Sequence, residues 1–189
     1  MDRSEVVQAR AEVTPATVNR FWRQAGAARW FNGGAEFDQA CRQALGAAHH
    51  AAARNEYSAW MASAEGALAL LILLDQIPRN LYRGSAHAFA TDALALQYAE
   101  RALQQRLDQQ IEPELRAFIY LPFEHSEALA DQQRSVALFT ALGIKHYRDY
   151  AQAHLEVIER FGRFPHRNAA LGRISTAAEQ AWLEAGGGF

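Results

Sequence analysis

The chain has 189 residues, half of them hydrophobic and 21% charged, with a formal net charge of −2. That balance excludes low-hydrophobicity disorder, and 12 Gly and 5 Pro exclude collagen-like and low-complexity chains. A pI near 6.4 argues against a dedicated nucleic-acid binder, and the single cysteine, Cys41, excludes an internal disulfide framework and points to a reducing, cytoplasmic setting.

The first residues, Met1-Asp2-Arg3-Ser4-Glu5, mix both signs of charge with no apolar run behind them, so no secretory signal is expected. Thr14-Pro15 is a helix start, a capping residue followed by proline, and Val18, Phe21, Trp22 and Ala25 follow at helical spacing. Gly33-Gly34 breaks the chain. A second helix begins with Phe37, Ala40, Cys41 and Ala44, with Gly46 as its expected end and an Ala-rich helical stretch from Ala47 to Met61. The run Ala67–Leu74 is too short for a membrane span, which needs about 20 apolar residues, and reads as a buried core helix from Ala64 to Ile77. Pro78 is expected to stop it. Residues 79–91 read as irregular; Thr91 or Asp92 caps a helix reaching Leu107. Glu112-Pro113 opens another that ends at Pro122, and Ser126 is placed to cap the next. After Gly143 a long helix carries Tyr147, Tyr150, Ala151, His154, Val157, Ile158 and Phe161 on one side and ends at Gly162. Thr176 and Glu179 have capping-box spacing.

No segment alternates like a strand. The expected fold is all-α: antiparallel helix pairs in one domain over residues 1–189, a tetratricopeptide-like array or bundle, with residues 1–13 and 186–189 as mobile tails and Phe189 able to dock.

Three polar constellations are candidates for chemistry. In Asp75-Gln76-Ile77-Pro78-Arg79-Asn80 an acid lies at the unfavourable, negative end of a helix dipole. Arg79, four residues on, either holds the turn with Asp75 or faces a ligand with it. In Glu124-His125-Ser126-Glu127, His125 is a candidate general base with Glu127 or Asp75 as its orienting acid; the alternative is a capped helix start. The third is Arg160 to Asn168 with Arg173 beyond. Residues 145–173 hold six basic and three acidic side chains, and arginines in such a turn suit a carboxylate or phosphate. Helix capping accounts for Arg160 but not for Arg167 or Arg173. His154, on an apolar helix side, is either a satisfied core residue or a proton-transfer group. His49-His50 is expected on a surface helix without a role, and Cys41 as an inert buried thiol. The common nucleotide, zinc-protease and serine-hydrolase motifs are absent from the sequence.

These same stretches carry a family resemblance. Leu74 to Gly84, Ala88 to Asp92, Tyr120 to Glu127 with Ala130-Asp131-Gln132, and Arg160 to Asn168 with Leu171-Gly172-Arg173 resemble the bacterial domain-of-unknown-function family number 924. The resemblance spans residues 18–189, with Ile77 and Leu45 where that family more often has aromatics. It implies a tetratricopeptide-like helical fold and brings no activity.

The reading is therefore a bacterial all-helical protein with a cleft for a small anionic ligand. The ligand set is Asp75, Arg79, Asn80, Arg83, Arg163, His166, Arg167, Asn168 and Arg173, and the proton-transfer candidates are His125, Glu127 and His154. It includes no cofactor, no metal, no nucleic acid and no membrane, and leaves enzyme activity open. The alternative is a tetratricopeptide-like interaction module, with a protein partner or a second copy of the chain, whose polar motifs are purely structural.

Overall fold

Thr14 accepts the Thr17 N–H on its side chain at 3.2 Å and opens α1, Pro15–Ala25. The computed structural model describes residues 13–189, so the expected mobile tail at 1–13 lies, but for Val13, outside the described residues. After α2, Ala27–Trp30, comes α3, Gly34–Ala53. It runs straight through Gly46, because that position is buried against Leu81 and a side chain there is not needed to hold the helix. A 3₁₀ turn, Ser58–Ala62, leads to α4, Ala64–Leu71, capped by Ser63. Then follow α5, Ile77–Leu81, a 3₁₀ turn at Ala86–Phe89, α6, Asp92–Gln104, α7, Pro113–Glu124, α8, Leu129–Leu142, α9, Lys145–Phe161, and α10, Ala177–Glu184. Among the described residues there is no strand.

Beyond Glu65 in its first turn α4 is apolar all round, and its Ala67–Leu71 and the following Ile72–Leu74 have no exposed surface. Such a helix has to be surrounded. α1, α6 and α7 pack on α4, α3 packs on α5, and α8 and α9 form a hairpin that closes over α7. Gly143 makes that hairpin's turn in the left-handed conformation (φ 78°), and Gly162 ends α9 the same way (φ 70°). The capping box of Thr176 and Glu179 forms as its spacing predicts.

Pro78 does not stop the core helix. The backbone widens into one π turn over Ile72–Gln76, in which the Ile77 N–H bonds to the Ile72 carbonyl, and continues helically through Pro78. The widening leaves two carbonyls without their usual donors: Leu73, whose partner Ile77 has moved back one residue, and Leu74, whose partner Pro78 has no N–H. Side chains from two other elements take them. His49 Nδ1–H donates to Leu73 O at 2.8 Å, and Thr91 Oγ1–H donates to Leu74 O at 2.5 Å. His49 is thus a buried structural residue, not a surface one, and Thr91 spends its hydroxyl here instead of capping α6. A second expected stop also fails: α7 passes through Pro122 to Glu124, because every residue from Ala117 to Glu124 is buried and packing overrides propensity. Ser126 lies two residues ahead of the α8 N-cap, accepting the Ala128 N–H at 3.2 Å and donating to Asp131 at 2.6 Å. Cys41 is fully buried, and burial pushes its thiol up to about 12, so it stays protonated.

If the π turn depends on these borrowed donors, Thr91→Val, which keeps the shape and removes the hydroxyl, lowers stability by about 1–3 kcal/mol, while Thr91→Ser costs clearly less. Urea unfolding of the two variants checks this; equal losses would remove Thr91 from the account.

Candidate functional site

The π turn and α5 set four polar side chains at the edge of the apolar core. Asp75 is fully buried. Its Oδ2 accepts from Gln76 Nε2 at 2.6 Å, and its Oδ1 accepts from His125 Nδ1 at 2.7 Å and lies 3.4 Å from Arg79 Nη1. Arg79 also donates to the Asp75 carbonyl and forks onto Asp92 at 3.0 and 3.1 Å. Asn80 donates to the Gln76 carbonyl at 3.1 Å. Burial opposes the charge on Asp75, but the Arg79 guanidinium and the His125 bond outweigh it and hold the carboxyl below the usual range.

An ionised carboxylate only accepts, so His125 carries its proton on Nδ1 and leaves Nε2 as a lone pair. Burial and the Arg79 charge depress the His125 pKa, which keeps the ring neutral. The neighbouring Glu124 is held the opposite way. Its Oε1 is 3.5 Å from His154 Nδ1, its Oε2 has no partner among the described residues, and burial with the Asp75 charge nearby raises it to about 8. At pH 7 the pair is therefore a neutral base beside a neutral acid, two titratable groups whose surroundings push their pKa values apart.

These groups open onto a cavity of about 530 Å³. Aromatic side chains, Trp30, Phe31, Tyr147 and Tyr150, line it together with polar ones, Arg79, Asn80, Glu114, Glu124, His125, His154, His166 and Arg167, and Arg83 and Phe89. Arg167 is buried with its guanidinium between the Phe89 and Phe164 rings, 4.6 and 4.7 Å from their centroids. One nitrogen donates to Asp92 at 3.1 Å, and Nε has no partner among the described residues. Burial, with Arg79 close by, lowers Arg167 to about 10, so it remains a cation at neutral pH. His154 donates Nδ1–H to the Tyr150 carbonyl at 2.8 Å, and burial lowers it to about 3. Burial and then the Arg167 charge lower His166 to about 4.

The structure brings together Asp75, Arg79, Asn80, Arg83, His125, His154, His166 and Arg167, with Asp75 behind the cavity wall and Arg83 on the rim, forked onto Asp38 at 2.8 and 3.0 Å. Four expected site residues are elsewhere. Arg163 forks onto Glu179 at 2.6 and 2.7 Å and pins α10. Arg173 forks onto Glu127 at 2.7 and 2.9 Å and donates to Asn168 and to the Phe164 carbonyl. Asn168 completes that knot through Ser175 at 3.0 Å. Glu127, occupied by Arg173 and the Phe164 N–H, is not the acid that orients His125; Asp75 is. Sequence reasoning missed Asp92, Phe89 and Glu124. For Glu124 a signal existed: an acid closing a fully apolar helical run, next to the histidine already singled out. Among the described residues no cluster of three or more His, Cys, Asp or Glu is disposed to hold a metal ion.

With this geometry in view, comparison with known proteins adds a lineage. A family model described as a bacterial protein of unknown function (DUF924) matches residues 18–187. The solved structure of a protein of unknown function from Agrobacterium tumefaciens is 46% identical, covers 90% of this chain and 97% of its own, and superposes with a TM-score of 0.88. No curated protein matches the chain.

The protonation states are open to a direct test. Glu124 keeps its proton in the folded state to a pH at which the unfolded carboxyl has lost it. Its contribution to stability is therefore complete below about pH 4.5 and is lost as pH rises through 8. Glu124→Gln removes that loss. Relative to the parent it gains a few kcal/mol at pH 8, on the order expected from linkage, and the gain fades by pH 5. Denaturant unfolding at the two pH values measures it; the same difference at both would show that Glu124 titrates normally.

Proposed function

The chain belongs to the DUF924 family of bacterial proteins of unknown function, and we propose that it binds a small organic anion in this cavity and exchanges a proton with it at His125. The observation that carries the reading is the layering of charge. Of the three arginines in the lining, Arg83 is on the exposed rim and Arg79 and Arg167 are the inner pair, whose carboxylate partners, Asp75 and Asp92, are not part of the lining. Arg167 shares Asp92 with Arg79, so its charge is only partly matched by its own anion. Of the two acids in the lining, Glu124 is kept protonated at pH 7 by burial and offers no competing carboxylate beside them, and Glu114 is solvent-exposed. A carboxylate entering here meets a buried, rigid cation in a site of low dielectric, where pairing is strong. The volume lies in the range of small-molecule sites, roughly 300–1,000 Å³.

His125 is the proton-transfer group. Asp75 fixes its ring and tautomer, as a carboxylate does for a general base, and Nε2 is left for the ligand. Glu124 is the complementary donor. Arg79 and Arg167 hold the anion against both.

Two measurements test this. In binding titrations with small carboxylates, Arg167→Met loses at least about tenfold in affinity, the scale of a charge-assisted hydrogen bond. Arg163→Met, outside the cavity, lowers the Tm and leaves affinity unchanged. Equal losses of affinity in both would remove the arginine assignment. Nitrogen-15 NMR at pH 7 is expected to show His125 neutral with the proton on Nδ1, and Nε2 shifting when the carboxylate binds. A proton on Nε2 in the free protein would end the base role.

A further inference from the structure

The proposed anion site leaves the rest of its ligand unspecified, and one occupant of the cavity is already visible. Phe189, at the end of Gly186-Gly187-Gly188, lies with its ring flat on His154, centroids 3.5 Å apart and planes 15° from parallel. It meets Phe164 and His166 edge-on, at 6.2 and 5.7 Å and near 90°. His154, His166 and Phe189 all line the cavity. Three features set this contact apart from core packing. The Phe189 ring is half exposed, whereas Phe164 beneath it is fully buried. The segment that carries it is three glycines, with φ of 86° at Gly186 and 146° at Gly188, conformations other residues rarely adopt. Its backbone is tied by Gly187 N–H to the Trp182 carbonyl at 2.9 Å, a bond that precedes the ring and does not fix it. The slot is also chemically unfinished: His166 Nδ1, in its wall, is buried with no partner among the described residues.

We propose that the space over His154, bounded by Phe164 and His166, is the ring subsite of the cavity, that the ligand is a small anion bearing a flat aromatic or heteroaromatic ring, and that Phe189 stands in for that ring until the ligand displaces it. This rests on the anion reading for the ligand's charge and adds its other half. Phe164 joins the two: its edge bounds the slot, and its ring carries the Arg167 guanidinium at 4.7 Å. The ring slot and the Arg167 cation thus share one wall residue, so a ligand that carries both a ring and a carboxylate can engage the two together. The slot suits a flat ring because its floor is an imidazole kept neutral by burial, offering a π face without a competing charge. A polar ring atom or substituent would complete His166 Nδ1.

The test compares three probes on the full chain and on Phe189→Ala, by calorimetry or ligand-observed NMR: acetate for charge alone, benzyl alcohol for a ring alone, and benzoate for both. Phe189 is half exposed and belongs to neither of the two buried apolar clusters, so the variant is expected to fold. For a plug docked nine-tenths of the time, its removal tightens ring binding about tenfold. The expected result is that gain for benzoate and benzyl alcohol, with acetate unchanged. Benzoate and acetate bound alike, with no gain from the variant, would overturn the ring subsite and leave the anion site standing. A gain for benzyl alcohol with no binding of acetate or benzoate would keep the ring subsite and overturn the anion site. Weaker benzoate binding in the variant would make Phe189 part of the site's wall and overturn its role as a stand-in.

Discussion

A carboxylate buried to full depth governs the middle of this protein. Asp75 follows eight residues that have no exposed surface and has none itself. Removing such a group from water costs several kcal/mol unless cations and donors surround it. The chain supplies Gln76 from the next residue, Arg79 from the next turn and His125 from the end of α7. Arg79 in turn calls for Asp92 at the start of α6, and Asp92 draws in Arg167 from the turn after α9. Four separate segments are thereby tied to one charge.

The π turn makes this arrangement geometrically available. It lets the helix continue past Pro78, so that Arg79 and Asn80 come round beside Asp75, and it leaves carbonyls that His49 and Thr91 complete. A widened turn in a buried helix recurs at functional sites because it displaces side chains that a regular helix would point elsewhere. Here it turns the polar end of the core helix toward the cavity and leaves the apolar end within the bundle.

Much of the fold was legible in advance. Capping residues, glycine stops and an all-apolar run are local signals, and they placed α1, the core helix, the start of α7, the end of α9 and the start of α10. Both proline stops were misread for one reason: propensity is local, while burial of Ile77 and of Ala117–Glu124 is decided by the neighbours packed against them. The candidate site was legible at Asp75, Arg79, His125 and Arg167, where a charged or titratable residue interrupts an apolar or turn-forming stretch. It was misread at Arg163, Arg173, Asn168 and Glu127. In sequence these resemble the cavity residues in type and neighbourhood, and only their pairing in space spends them on α10 and on the turn before it.

The sequence by itself determined the helical class, the starts of α1, α7 and α10, the end of α9 and which segments would hold the charged residues, since these follow from periodicity and from the backbone chemistry of single positions. Tertiary structure decided which acid orients His125, which arginines face open space and that Glu124 holds its proton. A pKa and a free valence are properties of burial and of partners far away in the chain: 50 residues separate Asp75 from His125, and 75 separate Asp92 from Arg167.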